Sequence, residues 1–101
     1  MNRQEHLFTI VGEEGGEVAQ RASKVVRFGL TEVQPGQEPG KEKDNRARLL
    51  GEVADLCGAI ELALPGTSMD ELVAALRPDI DAKKVKIEKF LEYSKEVGTL
   101  S

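Results

Sequence analysis

A length of 101 residues, 40% of them hydrophobic and 32% charged, fits one small domain with a modest core and argues against a disordered chain. The net charge of −4 lacks the basic balance of a surface that binds nucleic-acid polymers. A single cysteine, Cys57, excludes an intrachain disulfide and a cysteine-built zinc cluster.

Met1 to His6 is polar and leads into no apolar run of secretory-signal length. No stretch approaches the ~20 apolar residues of a membrane span. The expectation is a soluble cytoplasmic protein.

From Gln4 to Phe28 the apolar residues Leu7, Val11, Val18, Ala22 and Val25 recur at helical spacing, which predicts a first long helix. Glu14 continues that stripe, three residues after Val11 and four before Val18. Glu17 sits beside it, and Glu13 points further round. Gly12, Gly15 and Gly16 interrupt the pattern, and a glycine inside a helix costs ~1 kcal/mol relative to alanine. They suggest either a close approach to the backbone or a kink. Gly29 is a natural stop.

Leu30 to Asp44 holds Pro35, Gly36, Pro39 and Gly40 among polar residues and reads as a loop, either a lid or binding segment or a disordered crossover. Asp44 or Asn45 then caps a second long helix running to Leu64, ended by Pro65-Gly66. Its stripe is Leu49, Val53, Leu56, Ile60 and Leu64, widened by Leu50, Cys57 and Ala63, with Cys57 read as a small buried hydrophobe. Glu52 and Asp55 flank the stripe on one side. Leu62 lies off it, which favours a partner subunit.

Ser68 with Glu71 forms a capping-box pattern that opens a short helix, Met69 to Leu76, closed by Arg77-Pro78. A last helix from Asp79 to Val97 carries Ile80, Val85, Ile87, Phe90, Leu91 and Val97, with Lys83, Lys84, Lys86 and Lys89 between them. The expected fold is an all-α bundle: two long antiparallel helices, a short helix and a C-terminal helix, completed by oligomerisation.

The chemistry lies in the acids. Glu14 with Glu17, and Glu52 with Asp55, are each three apart and neighbours on a helix surface, with Glu13 in reserve. Carboxylates at the edge of a packing face are costly unless paired or bound to a cation. Two such pairs facing each other suit a hard divalent ion, Mg2+ or Mn2+. A solvated acidic edge is the alternative. A carboxylate-bridged di-iron centre normally needs Glu-x-x-His on two helices, and the one histidine, His6, is not so placed. No nucleophilic triad and no glycine-rich phosphate loop can be assembled. Lys24 and Arg27 follow the first acidic segment, and Asn45, Arg46 and Arg48 precede the second. With the C-terminal lysines, Lys86 among them, they are candidates for binding a polyphosphate.

Glu13-Glu14-Gly15-Gly16-Glu17 followed by Glu52-Val53-Ala54-Asp55 on two helices resembles the MazG-like all-α nucleoside triphosphate pyrophosphohydrolases. Lys24-Val25-Val26-Arg27-Phe28-Gly29-Leu30 and Asn45-Arg46-Ala47-Arg48-Leu49-Leu50 are similar to short phage and bacterial members, over roughly residues 5 to 64. Lys86 to Ser94 is a looser echo. The resemblance implies hydrolysis of a nucleoside triphosphate between its α- and β-phosphates, with Glu14, Glu17, Glu52 and Asp55 as metal ligands. Glu13 would bind a further ion or orient water, and either Glu13 or Glu17 would take the proton of that water. It further implies a homodimer or a dimer-built tetramer. A phosphoribosyl-ATP pyrophosphohydrolase within the same fold, and a non-enzymatic helical dimer that binds a partner protein, are the competing readings. The gap between the two acidic motifs is longer than in compact family members, the excess lying in Leu30 to Asp44.

Overall fold

Asn2 starts the first helix: its backbone is extended and its side-chain oxygen accepts the Glu5 N–H at 2.8 Å, and α1 runs from Arg3 to Phe28. A computed structural model describes residues 1–101 and contains only helices, α1, α2 (Asn45–Ala63) and α3 (Met69–Glu96). The chain forms two compact units, Met1–Met69 and Asp70–Ser101, where length suggested a single domain.

In the first unit α1 and α2 pack antiparallel. Gln4 Nε2 donates to the Ala63 carbonyl (2.6 Å) at one end, and Asn45 Nδ2 donates to the Gly29 carbonyl (2.8 Å) at the other. Gly29 ends α1 with φ +90°, its N–H returning to the Val25 carbonyl. Asp44 is the cap of α2, its carboxylate accepting the Ala47 N–H at 2.8 Å.

The faces in contact differ in part from the expected stripes. On α1 the inward line is Leu7, Val11, Glu14, Val18, Arg21 and Val25, all buried or half-buried, so Glu14 lies on the stripe as its spacing predicts. On α2 the line is Asn45, Leu49, Glu52, Leu56, Ala59 and Ala63, with Ala59 and Ala63 buried. Val53, expected at the core, is exposed, and Glu52, expected at its flank, takes the inner face instead. The small side chains of Ala59 and Ala63 are the buried ones, whereas Val53 and Leu64 turn outward. Cys57 is half-buried rather than fully enclosed.

Gly12, Gly15 and Gly16 lie within the unbroken α1, and a Cβ built on any of them meets nothing within 4 Å. No segment of this chain therefore accounts for a close approach there. Gly15→Ala is expected to raise stability by ~1 kcal/mol, the helix-propensity difference, in chemical denaturation. A loss of stability instead would mean that another molecule occupies that surface.

The loop is ordered by its own polar side chains. Gln37 grips Lys43 from both sides, its Nε2 donating to the Lys43 carbonyl and its Oε1 accepting the Lys43 N–H, each at 3.0 Å. Asn45 N–H donates to the Glu32 carbonyl and Arg46 N–H to the Leu30 carbonyl, both at 3.0 Å, which ties the loop base to the start of α2. These bonds argue against a disordered crossover.

In the second unit α3 continues through Pro78, so the expected short helix and C-terminal helix are one. Proline forfeits the bond to the Ala74 carbonyl and crowds the preceding turn. The Arg77–Asp81 ion pair (3.6 Å) spans the position but is exposed on both sides and offsets little of that. Pro78→Ala is expected to stabilise α3 by up to ~3 kcal/mol, read as helical ellipticity retained to higher temperature. Unchanged melting would show that the helix is not under strain at this residue.

Candidate metal centre

The heptad-like line of each helix carries the site. On α1, Glu14 stands between Val11 and Val18. On α2, Glu52 stands between Leu49 and Leu56, and Asp55 lies three residues on. Antiparallel packing brings these together: carboxylate oxygens of Glu14, Glu52 and Asp55 all lie within 4.8 Å of one another. Glu14 and Glu52 are half-buried, while Asp55 is exposed at the open side.

Electrostatics follow from that closeness. Desolvation first, then the charges of Asp55, Glu52, Glu17 and Glu13 in that order, push the Glu14 carboxyl above its ordinary value of 4.5. The nearest cation is Arg21, whose Nε lies 4.0 Å from Glu52 Oε1, the outer limit of an ion pair. Arg21 Nη1 is buried without a hydrogen-bond partner. Three carboxylates against one guanidinium leave the site negative. An all-oxygen donor set of this kind, open to water at Asp55, fits a hard divalent cation such as Mg2+ or Mn2+.

The remaining candidates are dispersed. Glu17 and Glu13 are exposed and lie outside the converging trio, though both are near enough to raise Glu14. Lys24 is half-buried on α1. The Arg27 guanidinium lies 5.7 Å from the centre of the Phe28 ring, at the outer range of a cation–π contact. Asn45, a candidate for substrate contact, is 1% exposed, and its amide nitrogen serves Gly29 and Glu32, so it pins the loop base. Lys86 belongs to α3 in the second compact unit and is exposed.

Arg21 is the residue that sequence reasoning passed over. Its signal is present: it follows Glu14 by seven residues and Val18 by three, which places it on the same line, but its charge disguises it beside the apolar Ala22, which is exposed.

No helix is long and apolar enough to cross a membrane. Comparison of the chain with protein-family models, curated proteins and solved structures found no match.

Proposed function

We propose that this chain is a metal-dependent nucleoside triphosphate pyrophosphohydrolase of the MazG-like all-α type, releasing nucleoside monophosphate and pyrophosphate. The observation that carries the reading is the convergence of Glu14, Glu52 and Asp55 from two helices to within 4.8 Å. These three would hold Mg2+, or Mn2+ in its place. When bound, such an ion polarises phosphate oxygens and lowers the pKa of coordinated water. Arg21, 4.0 Å from Glu52, is the one cation beside the trio and would offset part of its negative charge. In this reading Glu17 or Glu13, both exposed, would order water or take its proton.

The assembly belongs to the same reading. Leu50, Val53 and Leu62 of α2 and its C-cap Leu64 are exposed, and Ala59 and Ala63 are the helix's only buried apolar residues. So thin a core in a two-helix unit supports completion by a second copy, as a homodimer or a dimer-built tetramer.

The test is a panel of ribo- and deoxyribonucleoside triphosphates, with phosphoribosyl-ATP, incubated with magnesium and scored for pyrophosphate release. At least one is expected to be cleaved to monophosphate and pyrophosphate. Cleavage confined to phosphoribosyl-ATP would select that narrower activity, and no turnover of any member would favour a partner-binding helical dimer.

A further inference from the structure

Arg21 belongs to no metal-ligand set, yet it stands inside the interface that carries one. It lies on the packing line of α1, three residues after Val18, and its side chain is 16% exposed. Its Nε is 4.0 Å from Oε1 of Glu52 on the facing helix, a carboxylate whose side chain is 22% exposed. With both groups mostly shielded, solvent and salt screen the pair far less than they screen a surface pair. Nη1 of Arg21 is buried and finds no hydrogen-bond acceptor. A buried guanidinium nitrogen without an acceptor is costly, so the charge is held there against a penalty. What opposes that penalty is the negative field of Glu14, Glu52 and Asp55, whose oxygens lie within 4.8 Å of one another.

An ion held by the trio would share Glu52 with this guanidinium. The two are like charges on one carboxylate, so binding the ion weakens the attraction between Arg21 and Glu52 and adds repulsion between the cations. The length of the pairing decides how this contest ends. A short, bidentate arginine–carboxylate fork would occupy the oxygens and shut the ion out. A contact at 4.0 Å with no hydrogen bond leaves them open and yields instead.

We propose that Arg21 is a standing counter-ion of Glu52 that competes with the divalent metal and keeps its affinity low. The proposal takes the metal centre of the hydrolase reading as given. Arg21 acts through Glu52 and is a positioning residue, not a ligand.

Calorimetric titration of Mn2+ into the full chain and into Arg21→Met, Arg21→Gln and Arg21→Lys tests this without turnover. Methionine keeps an unbranched apolar stem, glutamine keeps donors without charge, and lysine keeps the charge. The two neutral variants are expected to bind Mn2+ on the order of tenfold more tightly than the parent, the gain from removing one nearby like charge. Arg21→Lys is expected to stay within about twofold of the parent, because its charge remains. A residue that only props the helices apart or together would give looser binding when replaced, never tighter. A second readout uses the parent chain alone: exchange of the Arg21 Hε with water, followed by NMR, is expected to quicken severalfold on saturation with Mg2+ as the pairing loosens. Mn2+ affinity unchanged or weakened in both neutral variants overturns the proposal. Should those variants not fold, Hε exchange that saturating Mg2+ leaves unmoved overturns it. Metal binding indifferent to Arg21 in a chain that cleaves nucleotides sinks this proposal alone. Tighter binding in the neutral variants of a chain that cleaves nothing sinks the hydrolase reading alone, and no binding by any of the four proteins sinks both.

Discussion

Glu52→Gln is expected to lower turnover of the best triphosphate substrate by on the order of 10^3-fold, about 4 kcal/mol of transition-state stabilisation, without weakening the fold. The two halves of that expectation come from the same geometry. Glu52 is one of the two half-buried carboxylates of the trio, so its loss removes a ligand that exposed Glu13 or Glu17 cannot replace from outside the cluster. Its stabilising partner, Arg21, stands at 4.0 Å, a weak pairing, while Glu14 and Asp55 are like charges close by. Glutamine keeps the shape and removes the repulsion. An inactive variant that melts no lower than the parent is the signature of a binding site built against stability. Loss of activity together with loss of the fold would instead make Glu52 a structural residue, and full activity would remove it from the site.

The second large effect concerns metal and pH. Glu14 has a native pKa above its ordinary 4.5, so between these two values the folded chain keeps a proton that the unfolded chain releases. The folded state then binds more protons, and metal-free stability falls as pH rises through that window and stays lower above it. Glu14→Gln is expected to abolish this fall and to be the more stable protein at neutral pH in EDTA. A divalent ion reverses the sign by favouring the ionised trio. At magnesium a hundredfold above its Kd the parent chain is expected to gain about 2.7 kcal/mol. Thermal melts of both proteins with and without magnesium, from pH 4 to 8, read all of this. A parent chain whose stability rises with pH in EDTA, or that magnesium leaves unmoved, contradicts the electrostatic account.

What could be read in the sequence was what local spacing and caps encode. The span of α1, its stop at Gly29 and the place of Glu14 on the packing line follow from periodicity and turn chemistry, which also narrow the α2 cap to Asp44 or Asn45. Rotation of α2 did so only in part: spacing puts Leu49, Leu56, Ile60 and Ala63 on the packing side, but it also puts Val53 and Leu64 there, which are exposed, and passes over the buried Ala59. That error concealed how far Glu52 is drawn inward. Continuity through Pro78 was hidden for a different reason: proline is a strong local breaker, and a helix that tolerates it carries no sequence mark of doing so. Glu17 shows the limit of spacing alone. It is three residues from Glu14, as Asp55 is from Glu52, yet only Asp55 turns toward the opposite helix. The loop clamp of Gln37 on Lys43 and the pin of Asn45 on Gly29 join residues 6 and 16 apart through side-chain-to-backbone bonds, which follow no period.

The most direct measurement is calorimetric titration of Mn2+ into the parent chain and into Glu14→Gln, Glu52→Gln and Asp55→Asn. Saturable binding by the parent, weakened in all three variants and little changed in Glu13→Gln, is the predicted result. Equal affinity in all five proteins, or none in the parent even with a nonhydrolysable triphosphate present, would mean that two helices bring these carboxylates together for no ion at all.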